Sequence, residues 1–187
     1  MKTAVCYLKS TSPYAQSKYH TTEKNNKEGH DEYEERTWRE RSHYNEKREL
    51  FIPCHQFSQC IKSAAKYLSI QIPGKGKSTY TKNFASGIIV DTDVPLGVLK
   101  DDAEKLTLHV PSDGRPGGST RVIKHFPMVK QWEGKIAVTI LDDIIRNDVF
   151  EQVLRSAGVF IGIGAFRPAN RGVNGRFEVE QIKWTED

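Results

Sequence analysis

Gly158–Val179 reads GVFIGIGAFRPANRGVNGRFEV. It opens as the tail of an amphipathic helix and closes as an alternating strand. Between them Gly162, Gly164, Gly172 and Gly175 are interleaved with Phe166, Arg167, Arg171, Arg176 and Phe177, and no Asp or Glu occurs from Gln152 to Phe177. Glycine lets a backbone adopt φ > 0 and approach a bulky ligand closely, while arginine offers a planar fork that suits phosphate. The loop therefore reads as a cradle for a polyanion. The plainer reading is a Gly-rich turn that only reverses the chain.

Working outward, Arg176–Trp184 (RFEVEQIKW) alternates as a closing strand. Upstream, a helix is predicted over Asp148–Phe160. Asp148 and Glu151 stand at capping-box spacing, and Phe150, Val153, Leu154, Ala157 and Phe160–Ile161 form its buried stripe. Lys135–Leu141 (KIAVTIL) is the best central-strand candidate. Asp142-Asp143 after it suggests Mg²⁺, but no third acid stands at a useful spacing, so a strand-to-helix turn with acids near a helix N-terminus is preferred. At the front, Thr3–Lys9 (TAVCYLK) reads as a first strand broken by Ser-Pro. Leu50–Pro53 leads into a helix over His55–Leu68, with Phe57, Ile61, Ala64, Ala65 and Leu68 on its apolar face.

With one of the middle strands (Gly87–Val90, Lys105–Val110 or Arg121–Phe126) added, the order becomes β-α-β-β-α-β. That predicts an α+β fold of the ferredoxin-like or RRM-like kind, an antiparallel sheet with two covering helices and a second face free to bind. At 187 residues one domain, 1–187, accommodates this unit with two additions. Residues 17–49 form a polar insertion of mixed charge anchored by Tyr33, Trp38 and Tyr44, and 87–130 form a β-finger containing Lys105–Val110, a glycine-rich tip at Ser112–Ser119, and Arg121–Phe126.

The chain is 37% hydrophobic and 28% charged, the balance of a soluble globular domain. No apolar run approaches a membrane span, and the N-terminus has too short an apolar core for a signal peptide, so a cytoplasmic protein with no membrane partner is expected. Cys6, Cys54 and Cys60 fit neither a disulfide framework nor a zinc set and read as small thiols of the interior. No cofactor and no metal are expected.

Net charge is only +4, yet it is segregated. Pro73–Val90, Gly114–Trp132 and Gln152–Phe177 together hold eleven basic residues and no acid, so the rest of the chain sums to −7. Three basic loops that meet in space would form an electrostatic footprint for nucleic acid; three solvated loops on different faces are the alternative. In the first window Gly76-Lys77-Ser78 invites a P-loop reading. It fails, because Gln71 stands where the motif needs glycine and no apolar strand precedes it. The expected nucleic-acid-binding residues are Gly162, Gly164, Phe166, Arg167, Arg171, Gly172, Gly175 and Arg176 from the central loop. Lys75, Lys77 and Lys82 join them from the second loop, and Arg115, Arg121 and Lys124 from the third. Tyr80 and Phe84 serve either as stacking surfaces or as anchors for a mobile loop.

Three stretches, LKSTSPYAQS, FIPCHQFSQCIKSAAKYL and GIGAFRPANRGVNGRFEV, together resemble the RAMP superfamily, the RRM-like subunits that carry guide RNA in CRISPR effector complexes. Cys54-His55 replaces the family's Gly-Ser pair after the proline. YEERTWRE, QIPGKGKSTYTKNF and GIGAFRP…GRFEV also resemble small proteins of tailed phages and prophages, which implies a viral origin and a place in the host cytoplasm. The resemblance implies a non-enzymatic binder of single-stranded RNA or DNA that self-associates along the strand. A second reading is an anti-defence protein that engages a host defence complex, using the charged insertion, or traps a cyclic nucleotide. A third is a metal-independent RNase like the superfamily's processing members, with His20, His43 or His125 in general acid–base roles; no catalytic residue is assigned.

Overall fold

β1 (Lys2–Ser10) turns Ala4, Cys6 and Leu8 into the core and leaves Thr3, Val5 and Tyr7 half-buried on the opposite face, as its period of two dictates. In the computed structural model, which describes residues 1–112 and 120–186, eight more strands follow. They are β2 (Tyr14–Ala15), β3 (Glu49–Ile52), β4 (Ile88–Val90), β5 (Val94–Leu99), β6 (Glu104–Pro111), β7 (Arg121–Val129), β8 (Glu133–Ile140) and β9 (Phe177–Glu186). The α-helices are α1 (His30–Thr37), α2 (Cys54–Leu68), α3 (Thr81–Ser86) and α4 (Asn147–Ser156).

The main sheet has the order β4-β8-β1-β9 with every neighbouring pair antiparallel. The elements feeding it run strand, helix, strand, strand, helix, strand along the chain (β1, α2, β4, β8, α4, β9). Phe57, Ile61 and Ala64 of α2 and Phe150, Val153 and Leu154 of α4 share one core with Ala4, Cys6 and Leu8 of β1 and Ile136, Val138 and Ile140 of β8. Edge-on aromatic contacts close the core, with Phe57 about 6 Å from both Trp132 and Phe177.

Two irregularities reset which side chains face that core. β9 carries Phe177 and Val179 inward, but Ile182 and Trp184 have the wrong parity to follow them. A register shift against Tyr7/Leu8 places Glu180 as an extra residue, and this bulge turns Ile182 and Trp184 to the side of Phe177. Before the loop, α4 ends at Ser156 and the chain makes a π-helical turn over Ala157–Ile161, with the Gly162 N–H donating to the Ala157 carbonyl at 2.9 Å. Ala157 and Ile161 stay buried, whereas Phe160, expected in the stripe, is turned outward and half exposed. The capping box expected of Asp148 and Glu151 does not form either. The helix starts a residue earlier, Asp148 pairs with Arg146, and Glu151 pairs with Arg155.

A second sheet, β2-β7-β6, stands beside the first. The long hairpin begins at Glu104, whereas Ile88–Val90, within the stretch expected as a finger, belongs to the main sheet. β2 covers only the end of β7. Further along that edge Pro127, which has no N–H to leave unpaired, offers its carbonyl to the Gln16 N–H at 2.9 Å. His125 is then completed by side chains of the insertion. Its N–H donates to Glu34 Oε1 at 2.7 Å and its carbonyl accepts from Arg41 Nη1 at 2.9 Å, while Arg41 Nη2 and Glu34 Oε2 pair at 3.0 Å. An ion pair thus takes the place of a missing strand. Burial alone would push the Glu34 carboxyl up. The hydrogen bonds from Arg41 and the His125 N–H outweigh it and hold the carboxyl below its usual range.

Around this pair the regular part of residues 17–49 is α1 and a 3₁₀ turn (Trp38–Arg41), with Trp38 fully buried. Lys100–Glu40 at 2.7 Å, Lys105–Glu35 at 2.7 Å and Arg48–Asp101 at 2.8 Å fasten the segment to β6 and the turn before it. Several charges of the insertion, Glu34, Glu35, Glu40, Arg41 and Arg48 among them, are paired within the chain. Glu34→Ala strands the Arg41 guanidinium and the His125 N–H and is expected to cost about 3–5 kcal/mol in urea unfolding; a loss under about 1 kcal/mol would show that the pair does not hold the hairpin.

Candidate functional site

The central loop is built on backbone contacts that exclude side chains. Gly175, at φ +76°, donates its N–H to the Pro13 carbonyl at 2.7 Å and accepts at its own carbonyl from the Ile163 N–H at 2.9 Å. A Cβ on Gly175 would lie 1.8 Å from the Ile163 carbonyl oxygen, and one on Gly164 would lie 2.5 Å from the Ala15 carbonyl oxygen and from the Tyr14 ring. The Ala165 N–H reaches Ala15 at 2.8 Å. Gly172 sits against the Phe166 carbonyl, and Gly162 turns against Pro168. All four glycines singled out in the sequence are thus explained by chain packing.

The Ser-Pro turn after β1 therefore serves as the floor of the loop, and Tyr14 ties that floor to α2 through a 2.9 Å bond from its hydroxyl to Gln56 Oε1. Three stretches far apart in sequence meet there. Gln16, buried, fastens the next wall: its Nε2 donates to the Phe51 carbonyl at 2.9 Å and its Oε1 accepts from the His43 N–H at 2.6 Å.

Between these walls and the hairpin lies an open cleft of about 830 Å³. The loop contributes Gly164–Arg167 and Asn170, the first turns of α2 contribute His55, Gln56 and Gln59, and β7 contributes Lys124 and Phe126. Ser17, Arg41 and His43 come from the insertion, and Val110 and Pro111 from β6. No carboxylate lines it among the described residues. Arg41 is paired with Glu34, so among the described lining residues Lys124 and Arg167 are the cations left to meet an anion; Arg167 is steadied by a 3.2 Å bond from Nη1 to the Gly164 carbonyl. His43 and His55 stand edge to face with ring centroids 6.2 Å apart.

Of the residues expected to bind, Gly164, Phe166, Arg167 and Lys124 are brought together here. Phe166 is committed in part, packing edge-on against Phe126 at 4.8 Å. Arg171 is exposed at φ 63° on the loop's outer side. Arg176 is not a free cation: Nε donates to the Val159 carbonyl at 3.1 Å and Nη1 to Val173 at 3.2 Å. Arg121 is exposed near the hairpin end, 3.4 Å from the His109 carbonyl, and Arg115 lies outside the described residues.

Tyr80 and Phe84 are buried, Phe84 stacking on Phe150, so they are anchors and not stacking surfaces. Lys75, Lys77 and Lys82 are exposed, but their segment follows the C-terminus of α2, with the Tyr80 N–H on the Ile70 carbonyl. The cleft takes the other end of that helix, about 20 Å away for its length. The three basic windows therefore do not converge on one point. Asp142 is occupied by Asn83 Nδ2 at 2.7 Å and the Ile144 N–H at 3.0 Å, as a turn requires. Cys6 and Cys60 are buried, and burial raises both thiols to about 12.

His20 and His125 are elsewhere: His20 stacks on Tyr33, and His125 sits between Thr107 and Glu35. His55, Gln56 and Gln59 line the cleft, and nothing local in the sequence marks that end of the helix as one of its walls.

No protein-family model matches the chain, and no curated protein matches it. Among solved structures, a chain in a cryo-EM structure of the Type III-B Cmr-beta bound to cognate target RNA superposes with a TM-score of 0.49 at 11% identity. The match covers 98% of this chain and 60% of that one, so this chain spans less than two thirds of its neighbour's length. The likeness is too slight to decide anything, and the strand order above stands without it. No helix among the described residues is long and apolar enough to cross a membrane.

Gly175→Ala forces both a strained φ and a backbone collision, and is expected to cost at least about 2 kcal/mol in chemical denaturation; near-neutral behaviour would mean the loop relaxes freely. Burial, helped by Lys18 and His55 and opposed by Asp93, holds His43 below its ordinary value of 6.5. The unfolded chain therefore binds that proton more tightly. Stability is complete above about pH 6.5 and is lost as the pH falls from there through the folded value. In urea titrations from neutral to mildly acidic pH, His43→Gln is expected to flatten part of that loss, with His20, also lowered by burial, supplying a further share.

Proposed function

We propose that the chain is a non-enzymatic binder of single-stranded nucleic acid on an RRM-like β-α-β-β-α-β unit, and that the strand enters the cleft beside the central loop. One observation carries this reading. Among the described residues of a chain with 24 acidic residues, none of the acids lines a cleft of about 830 Å³ that displays Lys124, Arg167 and the loop backbone. Lys124 and Arg167 supply charge for phosphates, and Arg167 offers the planar fork. Gln59, His43, His55 and Asn170 add donors and acceptors that adapt to different bases, and the exposed part of Phe166 adds an aromatic surface. Such a set gives affinity with little sequence preference. The resemblance of three sequence stretches to RAMP subunits points the same way, and those stretches build the loop, its floor and the α2 wall.

Fluorescence anisotropy with single-stranded RNA, single-stranded DNA and duplex DNA across a salt series tests it. Binding to a single strand should weaken steeply with salt. Replacing Lys124 and Arg167 together by Ala should lower the log–log salt slope by about 1.4, two phosphate contacts at about 0.7 each. Absence of binding to every nucleic acid at low salt would overturn the reading.

A further inference from the structure

The cleft does not end at Arg167. α2 carries Gln56, Gln59 and Ser63 along one line, and Ile161–Gly164 runs beside it, leaving a narrow seam that Arg167 also borders. One turn beyond Ser63, at the i+4 position, stands Tyr67. The π-helical turn that rotates Phe160 out of the core sets it against this tyrosine, with ring centroids 5.6 Å apart and planes inclined by 33°. Tyr67 is 62% and Phe160 50% exposed. Two large aromatic rings side by side in water add nothing to the core and leave a joint apolar face. Lys66 stands beside Tyr67 on α2, and the loop with Lys75 and Lys77 follows the C-terminus of the helix; all three are exposed and, among the described residues, in no ion pair. Polar seam and aromatic step follow one another along a single helix of about 22 Å, and the lysine loop comes after its C-terminus.

We propose that the surface over this seam, itself only about 30 Å³, is a second segment of the same single-strand path: a base stacks on the step formed by Tyr67 and Phe160, and Lys66, Lys75 and Lys77 hold the neighbouring phosphates. The inference rests on the reading of the cleft and extends it. It also gives the lysine window, which lies too far from the cleft to share one phosphate with Arg167, a part in the same footprint. The occupant is a nucleic-acid strand, because the step continues a cleft that presents no carboxylate among the described residues and is followed by exposed lysines whose charge complements phosphates.

Anisotropy with single-stranded oligonucleotides of about 4 and about 12 nucleotides, the range of sites built from stacking and charge, separates the two levels. The wild type should bind the longer strand more tightly. Tyr67→Ala with Phe160→Ala should weaken the longer strand by about 5- to 150-fold, the worth of one stacked base, and leave the shorter one unchanged. Tyr67→Trp with Phe160 intact should restore the length dependence, and Lys75→Ala with Lys77→Ala should lower the salt slope for the longer strand alone. A double aromatic variant that matches the wild type at both lengths overturns the step while the cleft stands. Wild-type protein that binds neither length overturns the cleft and the step with it. An aromatic variant that changes only the sedimentation of the protein assigns the patch to self-association and also overturns the proposal.

Discussion

Gly175 and Pro13 are joined backbone to backbone, 2.7 Å from N–H to carbonyl, at a place where a Cβ would collide with Ile163. Much of the molecule hangs on that contact. β1 and β9 are neighbours in the sheet, so the turn leaving β1 and the loop entering β9 meet at one end of it, where the Arg176 carbonyl takes the N–H of Thr11. Pinning the turn fixes Tyr14 and Ala15. Ala15 holds the loop from below, β2 pairs with β7 and anchors the hairpin, and Tyr14 reaches Gln56 on α2. Three walls of the cleft share one support, and close main-chain approach is possible there only because glycine has no side chain.

Irregular backbone on either side of the loop serves the same end. The π turn before it adds a residue to a helical turn and the Glu180 bulge after it adds one to a strand, so each changes which side chains face inward. The first exposes Phe160 while keeping Ile161 buried. The second keeps β9 apolar on its core face although its sequence changes parity. Between these two adjustments the loop carries non-glycine residues, Phe166 and Arg171, at positive φ, held by bonds such as the Asn174 N–H to the Phe166 carbonyl at 3.0 Å.

Charge is sorted by pairing. The insertion carries acids and bases in quantity, but Glu34, Glu35 and Glu40 are each spent on a cation of the hairpin, of the turn before it or of the insertion itself. Arg41 borders the cleft without charging it, because Glu34 answers it and both complete the edge of β7. Among the cations left without a carboxylate partner in the described residues are Lys124 and Arg167 in the cleft and the lysines past α2. A modest net charge thus becomes a local positive track through the removal of acids from one region.

The sequence by itself determined three strands of the main sheet, its two helices and their order, and left open which middle strand completes it, because burial with a period of two or 3.6 is written in neighbouring residues and strand pairing is not. Ala4, Cys6 and Leu8, the α2 stripe and the β8 alternation are all legible that way. It also marked the loop's glycines, since a residue without Cβ is a local signature of close approach, though it assigned to a ligand contacts that the chain makes with itself. Only the tertiary structure decided which polar groups share a site. Arg176 and Lys124 look alike as letters, yet one is bound to two carbonyls and the other faces the cleft. Tyr80 and Tyr67 look alike too, one buried and one exposed beside Phe160. Those outcomes depend on which distant segments pack together, and that is set by the path of the whole chain and not by the composition of any window.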